Sequence, residues 1–273
     1  PLTSYFAQIA SCGMLNVLAQ AQWNALDRAR TETEFETLPM VSIVSAMRAG
    51  GLAGPSGYVD IPAGDVRLRH LCQMLPFSNA LTAIKTTGAG LREWLEKAAA
   101  CFQQVAQDRP DQTLINADVP GFDFDVAFGC TYRIDPGQPS RYGADGTLIN
   151  ATAHRIHDLC LKGKPLAADQ PVLVAVNSYR AGGGGNFPVI GPKALTLTLE
   201  AGSLAATRAY FATHPDPKTL FEPPWCFDAR VQGVPAMFET GPGAVHHLTE
   251  IKHLRPGTPH ETPDGFVHIP ITL

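Results

Sequence analysis

Apolar and polar positions follow recognisable periods along most of the chain. Within residues 1–30, Leu15, Leu18, Ala19, Gln22 and Leu26 recur at i, i+3 and i+4 spacing and predict a helix. After the polar run TETEFETLP, residues 40–46 (MVSIVSA) read as a short buried strand. A glycine-rich stretch follows, so Ser45 to Gly57 is a loop whose backbone can approach another group closely. Residues 66–74 predict a helix and 80–86 alternate as a strand. A clear helix is predicted at about 89–107, with Leu91, Trp94, Leu95, Ala98 and Phe102 as its apolar stripe and Arg109-Pro110-Asp111 as its stop. Residues 122–135 read as two strands, and RIHDLCL as another. PVLVAVNSYR is a continuous apolar run of the kind that fills a central strand. Residues 201–213 predict a further amphipathic helix, and 219–273 are proline-rich with short alternating strands such as FVHIPITL. Helices and strands are interspersed irregularly, which predicts an α+β fold with a mixed sheet. A composition shift near 215–224 divides the chain into a main unit, 1–215, and a Pro-rich β extension, 216–273, packed on it or appended to it.

Composition narrows the class. The 273 residues are 45% hydrophobic and 17% charged, which suits a folded domain and excludes disorder. With 25 Gly and 23 Pro, turns and loops outweigh what a helical bundle tolerates. The net charge is −4 and no Lys/Arg run exists, so a nucleic-acid polymer is not an expected partner. No apolar stretch reaches the roughly 18 residues of a membrane span. The cysteines at 12, 72, 101, 130, 160 and 226 form no CxxC. They read as free, buried thiols, with one or two bridges left open for an oxidising compartment. The start, PLTSYFAQIA, is neither a signal peptide nor an initiator methionine, and the chain reads as trimmed.

Candidate chemistry gathers at NSYRAGGGGNF, directly after the apolar run. A strand that empties into four glycines is expected to offer free backbone N–H groups and room for a flat ligand. Neither GxGxxG nor GxxxxGK[ST] is spelled, which argues against dinucleotide and P-loop sites. Tyr179 sits at the lip of this strand, where a ring can stack on a base. Phe77, in Pro76-Phe77-Ser78-Asn79, is the candidate for the other face, and Asn79 can both donate to and accept from a purine edge. Phe122 and Phe124 compete for the stacking role, but their alternation puts at least one of them in the core. Arg48 and Arg180 are candidates for pairing with a phosphate. Five of the nine histidines fall in the last 28 residues without carboxylate pairs beside them, so they read as surface residues. No GxSxG, HExxH or other complete catalytic set is present.

Five ordered segments resemble the 5'-nucleotidase family. NSYRAGGGGNFP is similar to the NNYRAxGGG segment of its periplasmic 2',3'-cyclic-nucleotide 2'-phosphodiesterase/3'-nucleotidase branch. PFSNAL resembles the family's PFGN, and TTGAGLREWLEKAA its TG-x-x-(I/L)-x-x-WLE helix. SAMRAGG and FDFDVAFGCTYRID match in place and order. The resemblance covers about residues 1–215, and the tail more loosely. It implies the C-terminal, nucleoside-binding domain of such an enzyme, of the 5'-nucleotidase C-terminal domain type. The metal-binding D-x-H and GNH signatures belong to the N-terminal metallophosphoesterase domain of the same polypeptide. The resemblance therefore implies that divalent metals sit in that domain, none in this chain, and that this chain alone is inactive. Residue by residue, the stacking aromatics fall on Phe77 and Tyr179, the base-reading asparagine on Asn79, and the glycine before the FDFD strand on Gly121. Arg180, Gly183 and Gly184 fall in the substrate loop. Arg48 falls near a phosphate-binding basic residue, in a loop of different length. Gly185 stands where the 5'-nucleotidase branch has a ribose-binding aspartate. The implied substrates are 2',3'-cyclic and 3'-nucleotides, and the implied compartment is the periplasm. Two rival readings remain: a stand-alone nucleoside-binding module, and a structural domain whose aromatics are merely core.

Overall fold

A computed structural model describes residues 1–188, 194–199, 201–217 and 221–273. The chain runs β1 (Leu2–Thr3), α1 (Gly13–Ala29), β2 (Met40–Val44), β3 (Asp60–Ile61), α2 (Leu68–Met74) and β4 (Leu81–Thr87). It continues through α3 (Gly88–Ala98), β5 (Val126–Phe128), β6 (Cys130–Ile134), β7 (Ile156–Leu161), β8 (Lys164–Pro165), β9 (Pro171–Asn177) and α4 (Ser178–Ala181). Last come β10 (Leu195–Leu199), α5 (Gly202–Thr213), β11 (Trp225–Phe227), β12 (Pro235–Thr240), β13 (His260–Glu261) and β14 (Val267–Thr272).

The central sheet has the order β10-β4-β9-β2-β5. β2 and β9 are parallel, and the other neighbours are antiparallel. β9 is apolar along its length because helices cover both of its faces. Val172, Val174 and Val176 join one core cluster with Leu91, Trp94 and Leu95 of α3. Leu173 and Ala175 point the other way, into a cluster with Leu26 of α1 and Ala206 of α5. Ser42 is the polar residue on β2, and Gln22 of α1 satisfies it by donating to its hydroxyl at 3.2 Å.

This is the α+β, mixed-sheet architecture that the alternation predicts. The tail contributes to the same core: β11 pairs in parallel with β6, and Trp225, Phe238 and Ile269 lie in the main cluster. The histidines of the tail are exposed or half-buried. Cys12, Cys101 and Cys130 are buried, whereas Cys72 and Cys226 are exposed, and all six thiols are free.

Two elements depart from their expected extent: the first of the two strands expected over 122–135 begins only at Val126, because Gly121–Asp123 form a 3-10 turn, and α3 stops early. α3 starts where Thr87 caps it, its hydroxyl accepting from Gly90 N at 3.2 Å. It ends at Ala98 and tightens into a 3-10 turn over Ala99–Cys101, well short of 107. Arg155 Nη1 donates to the Ala99 and Phe102 carbonyls at 2.8 and 2.7 Å, taking acceptors that a continuing helix would use. The chain then runs extended, with Phe102 bridged to Ile115.

Candidate functional site

The candidate residues arrive at one edge of the central sheet. Leu81 at the start of β4 is opposite Asn177 at the end of β9. The segment before β4 and the segment after β9 therefore emerge side by side, and the C-terminal end of parallel β2 lies next to them. Ser178 stitches the first two together. Its N–H donates to the Ala80 carbonyl at 2.8 Å, and its hydroxyl accepts from Ala80 N at 3.0 Å.

Phe77 and Tyr179 are both out of the core, 62% and 48% exposed. Rings with this much surface in water do not belong to the core, which removes the reading of these two as core aromatics. Phe124, by contrast, is buried. Phe77 and Asn79 line a small cavity of about 20 Å³ together with Ser45, Asn177, Ser203 and Thr207. Asn79 is tied down through its backbone, with its carbonyl accepting from Ser203 N at 3.0 Å. Ser203 is a polar group that sequence patterning missed. Its Oγ is buried and lacks a hydrogen-bond partner in the fold, and it lines the same cavity as Asn79. Its only signal in the sequence was its place in the first turn of the last predicted helix.

Tyr179 sits on the single turn α4, which Asn177 caps by accepting from Arg180 N at 2.9 Å. The glycine loop then folds back under it. Gly182, Gly183 and Gly184 donate their N–H groups to the carbonyls of Ser178, Arg180 and Tyr179. These amides are consumed by the turn, so the expectation that the loop offers free donors at 182–184 is corrected. What Gly184 supplies is shape. A Cβ there would lie 2.5 Å from the Tyr179 ring atoms, so the ring rests on the bare glycine backbone. Gly184→Ala is expected to push the Tyr179 ring aside and lower ligand affinity with little loss of stability. Paired titrations and urea melts check this.

Arg180 is a second correction. It is 2% exposed rather than turned toward a ligand. Its guanidinium meets Asp125 through Nε at 2.9 Å and Nη2 at 3.0 Å, and Asp123 through Nη1 at 3.1 Å. The two remaining N–H groups go to the carbonyls of Gly184 and Phe122. All five donors of the fork are thus occupied, which leaves none for a phosphate. Trp94 Nε1 donates to Asp125 at 2.8 Å, so the network ties the glycine loop to α3. Burial pushes Asp125 above the usual carboxylate range, against the pull of Arg180. Burial likewise draws the neighbouring Lys97 ammonium below its ordinary value, against Asp123. A signal for this network was present in FDFD, because two carboxylates in a buried apolar segment require a cation.

The structure also explains Gly185. Its φ is +79°, and a Cβ there would lie 2.0 Å from Arg180 Nη1 and 2.5 Å from Asp123 Oδ1. The salt bridge occupies the space a ribose-binding aspartate would need. Gly121 packs against Ala49, where a Cβ would come within 2.8 Å of the alanine methyl. It thereby sets the spacing between the FDFD segment and the loop of Arg48. The Arg48 side chain is exposed, and its carbonyl accepts from Ser4 Oγ at 2.5 Å. Among the described residues, no group of three or more His, Cys, Asp or Glu side chains is arranged to hold a metal ion, and no helix is long and apolar enough to cross a membrane.

Solved structures share this architecture. A Staphylococcus aureus structure assigned as a 5'-nucleotidase superposes with a TM-score of 0.63 over 82% of this chain and 38% of that one, at 17% identity. The 5'-nucleotidase precursor of Thermus thermophilus gives a TM-score of 0.56 over 82% of this chain and 36% of that one, at 16% identity. The fold class is that of one portion of such proteins. The family profile for the 5'-nucleotidase C-terminal domain matches residues 2–192, and the chain belongs to that family. It is 35% identical over 188 residues to the trifunctional nucleotide phosphoesterase of Bacillus subtilis, covering 68% of this chain and 13% of that protein. It is 32% identical over 194 residues to the 2',3'-cyclic-nucleotide 2'-phosphodiesterase/3'-nucleotidase of Haemophilus influenzae, covering 70% of this chain and 29% of that protein. The chain thus spans less than a third of either relative.

Proposed function

We propose that this chain is the nucleoside-recognition domain of a nucleotide phosphohydrolase acting on 2',3'-cyclic nucleotides and 3'-nucleotides. The observation that carries this is the pair of exposed rings, Phe77 beside the small cavity and Tyr179 on the adjoining strand end. The rings take the two faces of the base. Asn79, with Ser203 beside it, meets the base edge, because an amide and a hydroxyl can each donate and accept. The Gly182–Gly185 turn braces Tyr179 and leaves room for the ring of the ligand.

Hydrolysis belongs to an N-terminal metallophosphoesterase domain of the same polypeptide, in the periplasm. Divalent metals in that domain would supply the activated water. In this reading the present chain holds and orients the substrate, and Arg48 is the exposed arginine offered to its phosphate. An upstream D-x-H…GNH segment in the same reading frame is the expected gene structure.

The test is calorimetric titration of the chain with adenosine and with 3'-AMP. Saturable binding is expected. Tyr179→Ala is expected to weaken it by roughly 5- to 150-fold, the equivalent of about 1–3 kcal/mol for one stacked base. Undiminished affinity in Tyr179→Ala would overturn the reading.

A further inference from the structure

A second concavity, an open pocket of about 460 Å³, lies over the start of α2. Asp60, Asp65, Arg67, Arg69, His70 and Gln73 form its polar wall. It shares no lining residue with the cavity beside Phe77 and Asn79.

His70 is 9% exposed and makes two contacts that conflict. The backbone N–H of Arg67 donates to its Nδ1 at 3.1 Å. In the neutral ring the proton then sits on Nε2. Arg69 Nε lies 3.2 Å from that same Nε2, and an arginine Nε always carries a hydrogen. Donor faces donor. Exchanging the tautomer only moves the clash to the Arg67 N–H. An oxygen acceptor seated between Nε2 and Arg69 Nε, taking both hydrogens, removes it.

Arg67 and Arg69 set two cations in the wall against the two carboxylates, Asp60 and Asp65. Arg67 and Arg69 are exposed, and among the described residues no carboxylate pairs with either. Of the two carboxylates in the wall, Asp60 accepts from Tyr5 Oη at 3.2 Å and lies 3.3 Å from His247 Nε2. Asp65 is exposed.

We infer that this pocket is a binding site for a phosphate group, with one oxygen bridging His70 Nε2 and Arg69 Nε and the others facing Arg67. Tetrahedral phosphate suits it because one oxygen can accept from two donors while its neighbours meet a guanidinium. The phosphate comes either as free orthophosphate or as the phosphate of a nucleotide. The site does not rest on the nucleoside reading of the cleft, since it uses none of the same residues.

The experiment follows the imidazole nitrogen resonances of His70 in the whole chain, in phosphate-free buffer. Orthophosphate is expected to shift them saturably. Arg69→Gln alters an exposed side chain and is expected to weaken that response by about tenfold or more, the size of one charge-assisted hydrogen bond. Tyr179→Ala is expected to leave the orthophosphate response unchanged. A response to 3'-AMP but not to orthophosphate would assign the phosphate to a nucleotide. The site is overturned if His70 responds to neither ligand, or if Arg69→Gln responds as the wild type does.

Discussion

Arg180→Met is expected to lower the stability of the protein by about 3–5 kcal/mol, the cost of breaking a buried ion pair by removing one partner. Two carboxylates, Asp123 and Asp125, would lose their shared cation at 5% and 2% exposure. Water cannot replace the lost hydrogen bonds there without opening the loop. The effect should depend on pH with a definite sign. Burial already holds Asp125 above its ordinary value of 3.8, and removing Arg180 removes the leading influence that opposes this. A carboxyl whose folded value is raised contributes fully below its unfolded value and loses that contribution as pH rises through the folded one. The deficit of Arg180→Met relative to wild type should therefore be smallest in acid and widen toward neutrality. Urea melts of both proteins across the acid-to-neutral range check it, and a deficit independent of pH would contradict the argument. The variant should also bind nucleoside less tightly while still folded, because Tyr179 and the braces under its ring hang on the same loop.

Arg155→Met is expected to cost about as much, roughly 3–5 kcal/mol, by a different route. The Arg155 guanidinium is buried and donates to the carbonyls of Ala99, Phe102 and Gln138. Burial lowers it to about 10, with Cys101, Glu96 and Asp135 opposing, so it stays charged at neutral pH. Methionine fills similar volume but leaves the Phe102 and Gln138 carbonyls without their donor, each costing about 1–3 kcal/mol if it stays dry, while the Ala99 carbonyl keeps the Phe102 N–H at 3.2 Å. The urea midpoint should fall while the slope of the transition stays constant, since the surface exposed on unfolding hardly changes. None of the partners of Arg155 lines the cavity at Phe77 and Asn79. Nucleoside affinity of the folded variant should therefore match the wild type, in contrast to Arg180→Met.

These two arginines mark where local pattern stops being informative. The stripe of α3 is legible from Leu91 onward, and its start to within a residue or two of 89. Its end is not, because the donor that ends it sits 56 residues from Ala99 in the chain. Arg180 reads as a ligand-facing cation because its neighbours Tyr179 and Gly182–Gly185 are candidates for the site. Its partners lie 57 and 55 residues away, and only their meeting in space turns it inward. The glycine loop is illegible for the same reason. Four glycines announce freedom of the backbone, but not which carbonyl each N–H will choose.

What the sequence determined by itself was the order of elements, the mixed α+β class, the membership signalled by five motifs, and the aromatic and amide side chains of the candidate cleft. These follow from short-range periodicity and from residue types whose chemistry does not depend on context. The tertiary structure decided which side chains are available to a ligand. Tyr179 and Arg180 are adjacent, yet one ring stays in solvent while the other side chain is buried. The reason is physical: a buried cation is tolerated only where carboxylates and carbonyls converge on it, and here that convergence is made by the packing of the FDFD segment against the glycine loop. The ring next to it needs no such convergence and stays half in solvent.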